Sequence, residues 1–85
     1  MSIIAHFGIP YGVDVFKIDG DTVEPIGHYD HSHMINAASE LMNVAHIYSA
    51  KKIILMGAKD LLNPIAENMT QLVYSNNEDI KIEVV

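Results

Sequence analysis

Gly12-Val13-Asp14-Val15-Phe16-Lys17-Ile18-Asp19, then Gly20-Asp21, then Thr22-Val23-Glu24-Pro25-Ile26-Gly27-His28-Tyr29 is the stretch that decides the fold. Its first half alternates, with Val13, Val15 and Lys17 on one side and Asp14, Phe16 and Ile18 on the other, the two-residue period of a strand. Asp19-Gly20 between two extended runs is a hairpin signal, because glycine enters the positive-φ conformations of tight turns without a Cβ clash. Pro25 has no N–H to give to a ladder, which places the second run at a sheet edge. Upstream, Ser2 to Phe7 is a short apolar run closed by Gly8 and the turn-like Ile9-Pro10-Tyr11-Gly12. Three strands in succession with short connections predict an antiparallel meander.

Downstream the period changes. From Ser32 to about Ser49, Met34, Ala37, Ala38, Leu41, Ala45 and Tyr48 recur at helical spacing, with Asp30 or Ser32 as N-cap and Lys51-Lys52 near the negative end of the dipole. Met42, Val44 and Ile47 fall off this stripe, so the helix is expected to show apolar residues on more than one face. Lys52 to Gly57 is a continuous apolar run, the pattern of a strand buried on both faces. A second helix is expected with Asn63 as cap and Pro64 at its first position, presenting Ile65, Met69, Leu72 and Val73 and ending near Ser75-Asn76-Asn77. Ile80 to Val85 closes the order as a last strand. The helix between the last two strands requires them to be parallel, through a right-handed crossover. The sequence thus predicts one α/β domain over residues 1–85, βββαβαβ, with a mixed five-stranded sheet and two main helices. Met34, Met42, Met56 and Met69 are expected to fill the core.

Composition narrows the function. The 85 residues are 49% hydrophobic and 19% charged, too apolar for a disordered chain and too short for two cores. No apolar run approaches the roughly 20 residues that span a bilayer, and no basic stretch precedes an apolar one near Met1, so neither membrane association nor a signal peptide is expected. The absence of Cys removes disulfides and thiolate zinc sites, which fits a cytoplasmic setting. The net charge is −6, and all five cations are lysines. Nucleic-acid binders neutralise phosphates and use Arg for bidentate contacts, so this balance argues against a nucleic-acid partner.

The order of elements resembles the RNase H-like fold, in which the first strand is central, the meander extends to one side and the two parallel strands to the other. Tyr48-Ser49-Ala50-Lys51-Lys52-Ile53-Ile54-Leu55-Met56-Gly57 with Lys59-Asp60-Leu61-Leu62 is similar to the strand-glycine-helix stretch of the RNase H-like middle domain in peptide-release-factor relatives. The Gly-Gly-Gln tripeptide of their reaction is missing. His6-Phe7-Gly8 resembles a tripeptide of the iron-molybdenum cofactor carrier domains, where it follows a longer glycine-rich loop. Resemblance to RNase H-type nucleases implies carboxylates on the first strand, the first helix and the end of the fourth strand, holding two metals. Glu40 and Asp60 match the second and third places, while the first strand offers only His6.

Two groups of residues invite chemistry. Gly27-His28-Tyr29-Asp30-His31-Ser32-His33 gathers three imidazoles and a carboxylate, a donor set suited to a divalent transition metal. His28, Asp30, His31 and His33 are therefore candidate metal ligands, set against the plainer reading of a solvated turn in which Asp30 caps the helix. His46 lies too far along the helix to join them. Ligands of open sheets bind beyond the carboxyl ends of parallel strands, which makes Gly8, Gly57, Lys59 and Asp60 candidate binding residues. His6 is expected to be a buried histidine bonded to a neighbour. No catalytic set is complete and no cofactor motif is present, so no resident cofactor is expected. The expected function is that of a small acidic, non-enzymatic protein-binding domain, an inhibitor or adaptor. Its partner would be a protein, and a homo-oligomer would bury a sheet face that two helices leave open. The alternatives are a metal- or small-ligand-binding protein using the histidine cluster, and a degenerate RNase H-type nuclease.

Overall fold

A computed structural model describes residues 1–8, 12–30 and 37–85. Strands β1 (Ser2–Gly8), β2 (Gly12–Asp19) and β3 (Thr22–Tyr29) are followed by helix α1 (Ala37–Ile47), strand β4 (Lys52–Met56), helix α2 (Lys59–Ser75) and strand β5 (Lys81–Val84). The sheet order is β3-β2-β1-β4-β5, with β1 at the centre. β1 pairs antiparallel with β2 and β2 with β3, while β1–β4 and β4–β5 are parallel. The meander, the edge position of Pro25 and the parallel pair all match the expectation from sequence. Asp19 pairs with Thr22, so the hairpin turns on Gly20-Asp21, with Gly20 at φ 64. The register shifts between Val15 and Phe16, next to the Pro25 that cannot donate.

The core lies on one side of the sheet. Ile3, Ala5 and Phe7 of β1, Val13 and Val15 of β2, and Ile53 and Leu55 of β4 form a single cluster with Ala37, Ala38, Leu41, Met42, Val44 and Ala45 of α1 and Leu62 and Met69 of α2. Ile82 and Val84 of β5 pack against it from the edge. A shortest dimension of 20 Å is that of one helical layer on one sheet.

Four expectations change against this arrangement. β4 is buried on one face only: Ile53 and Leu55 are inside, whereas Ile54 is half-buried and Met56 is 37% exposed. Met56 is thus not a core methionine, because its register faces away from both helices. Met42 and Val44 are buried, since α1 packs against α2 as well as the sheet, and only Ile47, 75% exposed, is left outside. His6 is exposed, because the parity that buries Ala5 and Phe7 turns it to the other face. Finally, α2 begins at Lys59 with Ala58 as an N-cap that makes no side-chain bond, so Pro64 lies inside the helix and Asn63 caps nothing. Burial of Leu62 at 0% exposure explains the early start, because the chain must turn helical at once to bring it under the sheet. The N-terminal expectations for α1 (Ser32 and Met34) and the turn at Ile9-Pro10-Tyr11 lie outside the described residues.

Gly57 makes that turn possible. Its φ is 147, a region L side chains rarely enter, and a Cβ there would sit 2.9 Å from the Phe7 carbonyl oxygen and 3.1 Å from Phe7 Cβ. The glycine lets the β4–α2 connection close over β1, with Leu62 Cδ1 just beyond. Gly57→Ala is expected to cost about 2–4 kcal/mol from backbone strain and overlap together. Gly20→Ala, at φ 64 with open space around it, is expected to cost only about 1 kcal/mol. Urea unfolding of both variants measures the difference.

At the β4–β5 edge, Glu83 accepts from Lys52 at 3.1 Å and Lys81 at 3.3 Å. The hydrogen bond from Lys52 first, and that from Lys81 second, hold the Glu83 carboxyl below its ordinary value. A depressed carboxyl favours the folded chain above its unfolded pKa and loses that contribution as pH falls through the folded one. Glu83→Gln is therefore expected to flatten slightly the acid limb of a stability-against-pH curve below about pH 4.5 and to change little at pH 7 beyond the loss of exposed ion pairs.

Candidate functional site

Among the described residues, no helix covers the face of the sheet opposite α1 and α2. Strand registers arrange its residues in three rows. Nearest the carboxyl ends of β1 and β4 run His28, Asp14, His6 and Met56. The middle row is Pro25, Phe16, Ile4, Ile54 and Glu83. The third is Val23, Ile18, Ser2, Lys52 and Lys81. Ile4, Phe16, Ile18 and Ile54 are half-buried and are not part of the core cluster, and Val23 is 61% exposed. An apolar band therefore crosses the face diagonally, from Val23 through Ile18, Phe16, Ile4 and Ile54 to Met56.

The band separates two charged corners. In one, Lys52 and Lys81 share Glu83, leaving an excess of positive charge. In the other, His28 Nδ1–H donates to Asp14 Oδ1 at 2.7 Å. A carboxylate only accepts, so this contact puts the proton of a neutral imidazole on Nδ1 and leaves the Nε2 lone pair free. Gly12 is the floor beneath the ring: a Cβ there would lie 2.5 Å from His28 Cε1 and 3.0 Å from Nε2. Both side chains are about half exposed. This His–Asp pair was not foreseen from sequence, because it joins residues fourteen apart on two strands. The two-strand register that brings them together could have signalled it.

Two of the four candidate metal ligands, His28 and Asp30, are among the described residues. His28 is engaged by Asp14, Asp30 is exposed, and His31 and His33 lie outside the described residues. Among the described residues, no three His, Asp or Glu side chains are grouped to hold a metal ion. Gly8 ends β1 opposite Gly12, Gly57 lies in the exposed connection from β4, and Lys59 and Asp60 open α2, both exposed. Gly57 approaches Phe7 closely, where a Cβ would meet the Phe7 carbonyl oxygen. Of the three carboxylate places implied by an RNase H-type centre, α1 carries Glu40, the start of α2 carries Asp60, and β1 presents the imidazole of His6. These residues do not fit a two-metal centre, which needs a bridging carboxylate on the first strand.

On the helical side, a groove of about 260 Å³ lies between the end of α1 and the α2–β5 connection. There His46 Nε2 bonds to Glu78 Oε1, while Glu78 Oε2 is buried without a partner. A second, open depression of about 470 Å³ runs along Ala66 and Thr70 on the outer face of α2. No helix among the described residues is long and apolar enough to cross a membrane.

No protein-family model matches the chain, and no curated protein matches it. Among solved structures it is similar to the Holliday junction resolvase of fowlpox virus, with a TM-score of 0.57 and 19% sequence identity over 98% of this chain and 60% of the resolvase chain. The chain thus spans less than two thirds of that structure. At this identity the likeness shows the fold alone: a mixed five-stranded sheet with two helices in the RNase H-like arrangement that the order of elements implied.

Proposed function

We propose that this chain is a protein-binding module on an RNase H-like frame, and that its working surface is the sheet face opposite the helices. The apolar diagonal on that face supports the reading. Ile4, Phe16, Ile18 and Ile54 sit side by side with no covering helix among the described residues, together with the more exposed Val23 and Met56. Contiguous apolar surface rimmed by charge is the usual mark of an interaction site, and covering it gains about 25 cal/mol for each Å² removed from water. An adaptor or inhibitor would act in this way, through a partner's apolar patch, without chemistry of its own.

A tagged copy isolated from its native host is expected to carry one stoichiometric protein partner, another chain or an untagged copy of itself. That complex should re-form from purified components. Phe16→Lys, at the centre of the band, is expected to lower the affinity at least tenfold while leaving the circular dichroism spectrum unchanged, as a central apolar anchor does. A wild-type chain that is recovered alone and also stays monomeric at about 500 µM, or a partner held equally well by Phe16→Lys, would overturn the reading.

The likeness to a resolvase favours a second reading, a degenerate nuclease using Glu40 and Asp60. The imidazole at His6 weighs against it. Incubation with branched, duplex and single-stranded DNA in magnesium or manganese is expected to give no cleavage above background. Metal-dependent cleavage that disappears in Glu40→Ala and Asp60→Ala would establish the nuclease instead.

A further inference from the structure

We infer that the partner seated on the open sheet face is a second copy of this chain, crossed over the first so that the basic corner of each meets the acidic corner of the other. The inference rests on the protein-binding reading of that face and names its occupant.

The pattern of the face is self-complementary. A two-fold axis lying in the interface along the apolar diagonal leaves that diagonal on itself: Phe16, Ile4 and Ile54 of one copy meet the same band of the other. The same rotation exchanges the corners on either side. Lys52 and Lys81, whose charge Glu83 offsets only in part, come over Asp14 and His28 of the second copy, and the contact repeats by symmetry. Rotation about an axis along the strands would instead lay the β2–β3 side over the β4–β5 side row by row, facing Asp14 with Met56 and Val23 with Lys81, and would lose the match. The diagonal axis carries the strands of the two sheets across one another at a steep angle, toward the orthogonal class of sheet packing.

Charge elsewhere does not oppose this. The net charge is −6, but Asp21, Asp60, Glu67 and Asp79 lie on the hairpin turn, helix α2 and the α2–β5 connection, and Asp19 ends β2, all outside the three rows. At physiological salt their repulsion is screened beyond about 8 Å. Five strands at about 4.8 Å spacing and three rows of side chains cover roughly 500 Å² per copy, or about 1,000 Å² in all, at the lower limit for a specific interface. An interface this small suits a weak, reversible dimer.

Sedimentation velocity of the purified chain from about 5 to about 500 µM tests the inference. The wild type is expected to pass from monomer to dimer across this range, and Phe16→Lys to stay monomeric. Two charge reversals at exposed positions test the arrangement. Asp14→Lys makes both corners basic, and Lys81→Glu makes both acidic, so each alone is expected to weaken self-association on the order of tenfold. Mixed in equal amounts, the two variants are expected to regain dimers near the wild-type midpoint, because every corner then meets its opposite. A wild type that remains monomeric at 500 µM overturns the inference while leaving capture of a different protein by the same face intact. Dimers that ignore Phe16→Lys, or a mixture of the two charge variants that associates no better than either alone, overturn it as well.

Discussion

The close seating of α1 on the central strand is the constraint on which everything else depends. Ala5, at 0% exposure, lies in the same core as α1, whose buried side carries Ala37, Ala38 and Ala45 beside Leu41, Met42 and Val44. Small residues on both partners let helix and sheet approach, and Leu41, Ile3 and Ile53 fill the space around that contact. Once β1 commits its odd-numbered residues to this side, its even-numbered ones, Ile4 and His6, must point the other way. The whole second face follows from that parity through the ladder registers.

Much of this was legible in the sequence. Alternation in Gly12–Asp19, the Asp19-Gly20 turn and the ladder-breaking Pro25 are local signals, and local signals survive into the structure. The helix that separates the last two strands fixes their parallel sense, while the central place of β1 was what the resemblance to the RNase H-like fold implied. What failed was set by tertiary context. An apolar run such as Lys52–Gly57 looks the same whether one or both faces are covered, and only the placement of α2 on the same side as α1 decides it. The early start of α2 reflects the burial of Leu62, a long-range demand that outweighs the capping signal of Asn63 and Pro64.

The site was less legible than the fold. The conspicuous run from His28 to His33 drew attention because its members are adjacent in sequence, whereas the structure ties His28 to Asp14 on the neighbouring strand. A sheet groups residues by register, at a stride of two along each strand, so a surface spread over five strands has no contiguous signature. The diagonal of Val23, Ile18, Phe16, Ile4, Ile54 and Met56 draws on four strands and emerges only when the pairings are known. The resolvase likeness supplies the frame on which those rows stand and nothing about what touches them.

Both margins of the sheet are closed to growth. On the β3 margin, Pro25 removes a donor and the irregularity opposite it bends the ribbon. On the β5 margin, the ionic pair of Lys81 and Glu83 stands over a strand of only four residues. An incoming extended chain would find a gapped row of hydrogen-bonding groups on one side and a short, charged one on the other. A polypeptide that is 49% hydrophobic is thereby shielded from cross-β stacking, the aggregation route that so apolar a composition would otherwise invite.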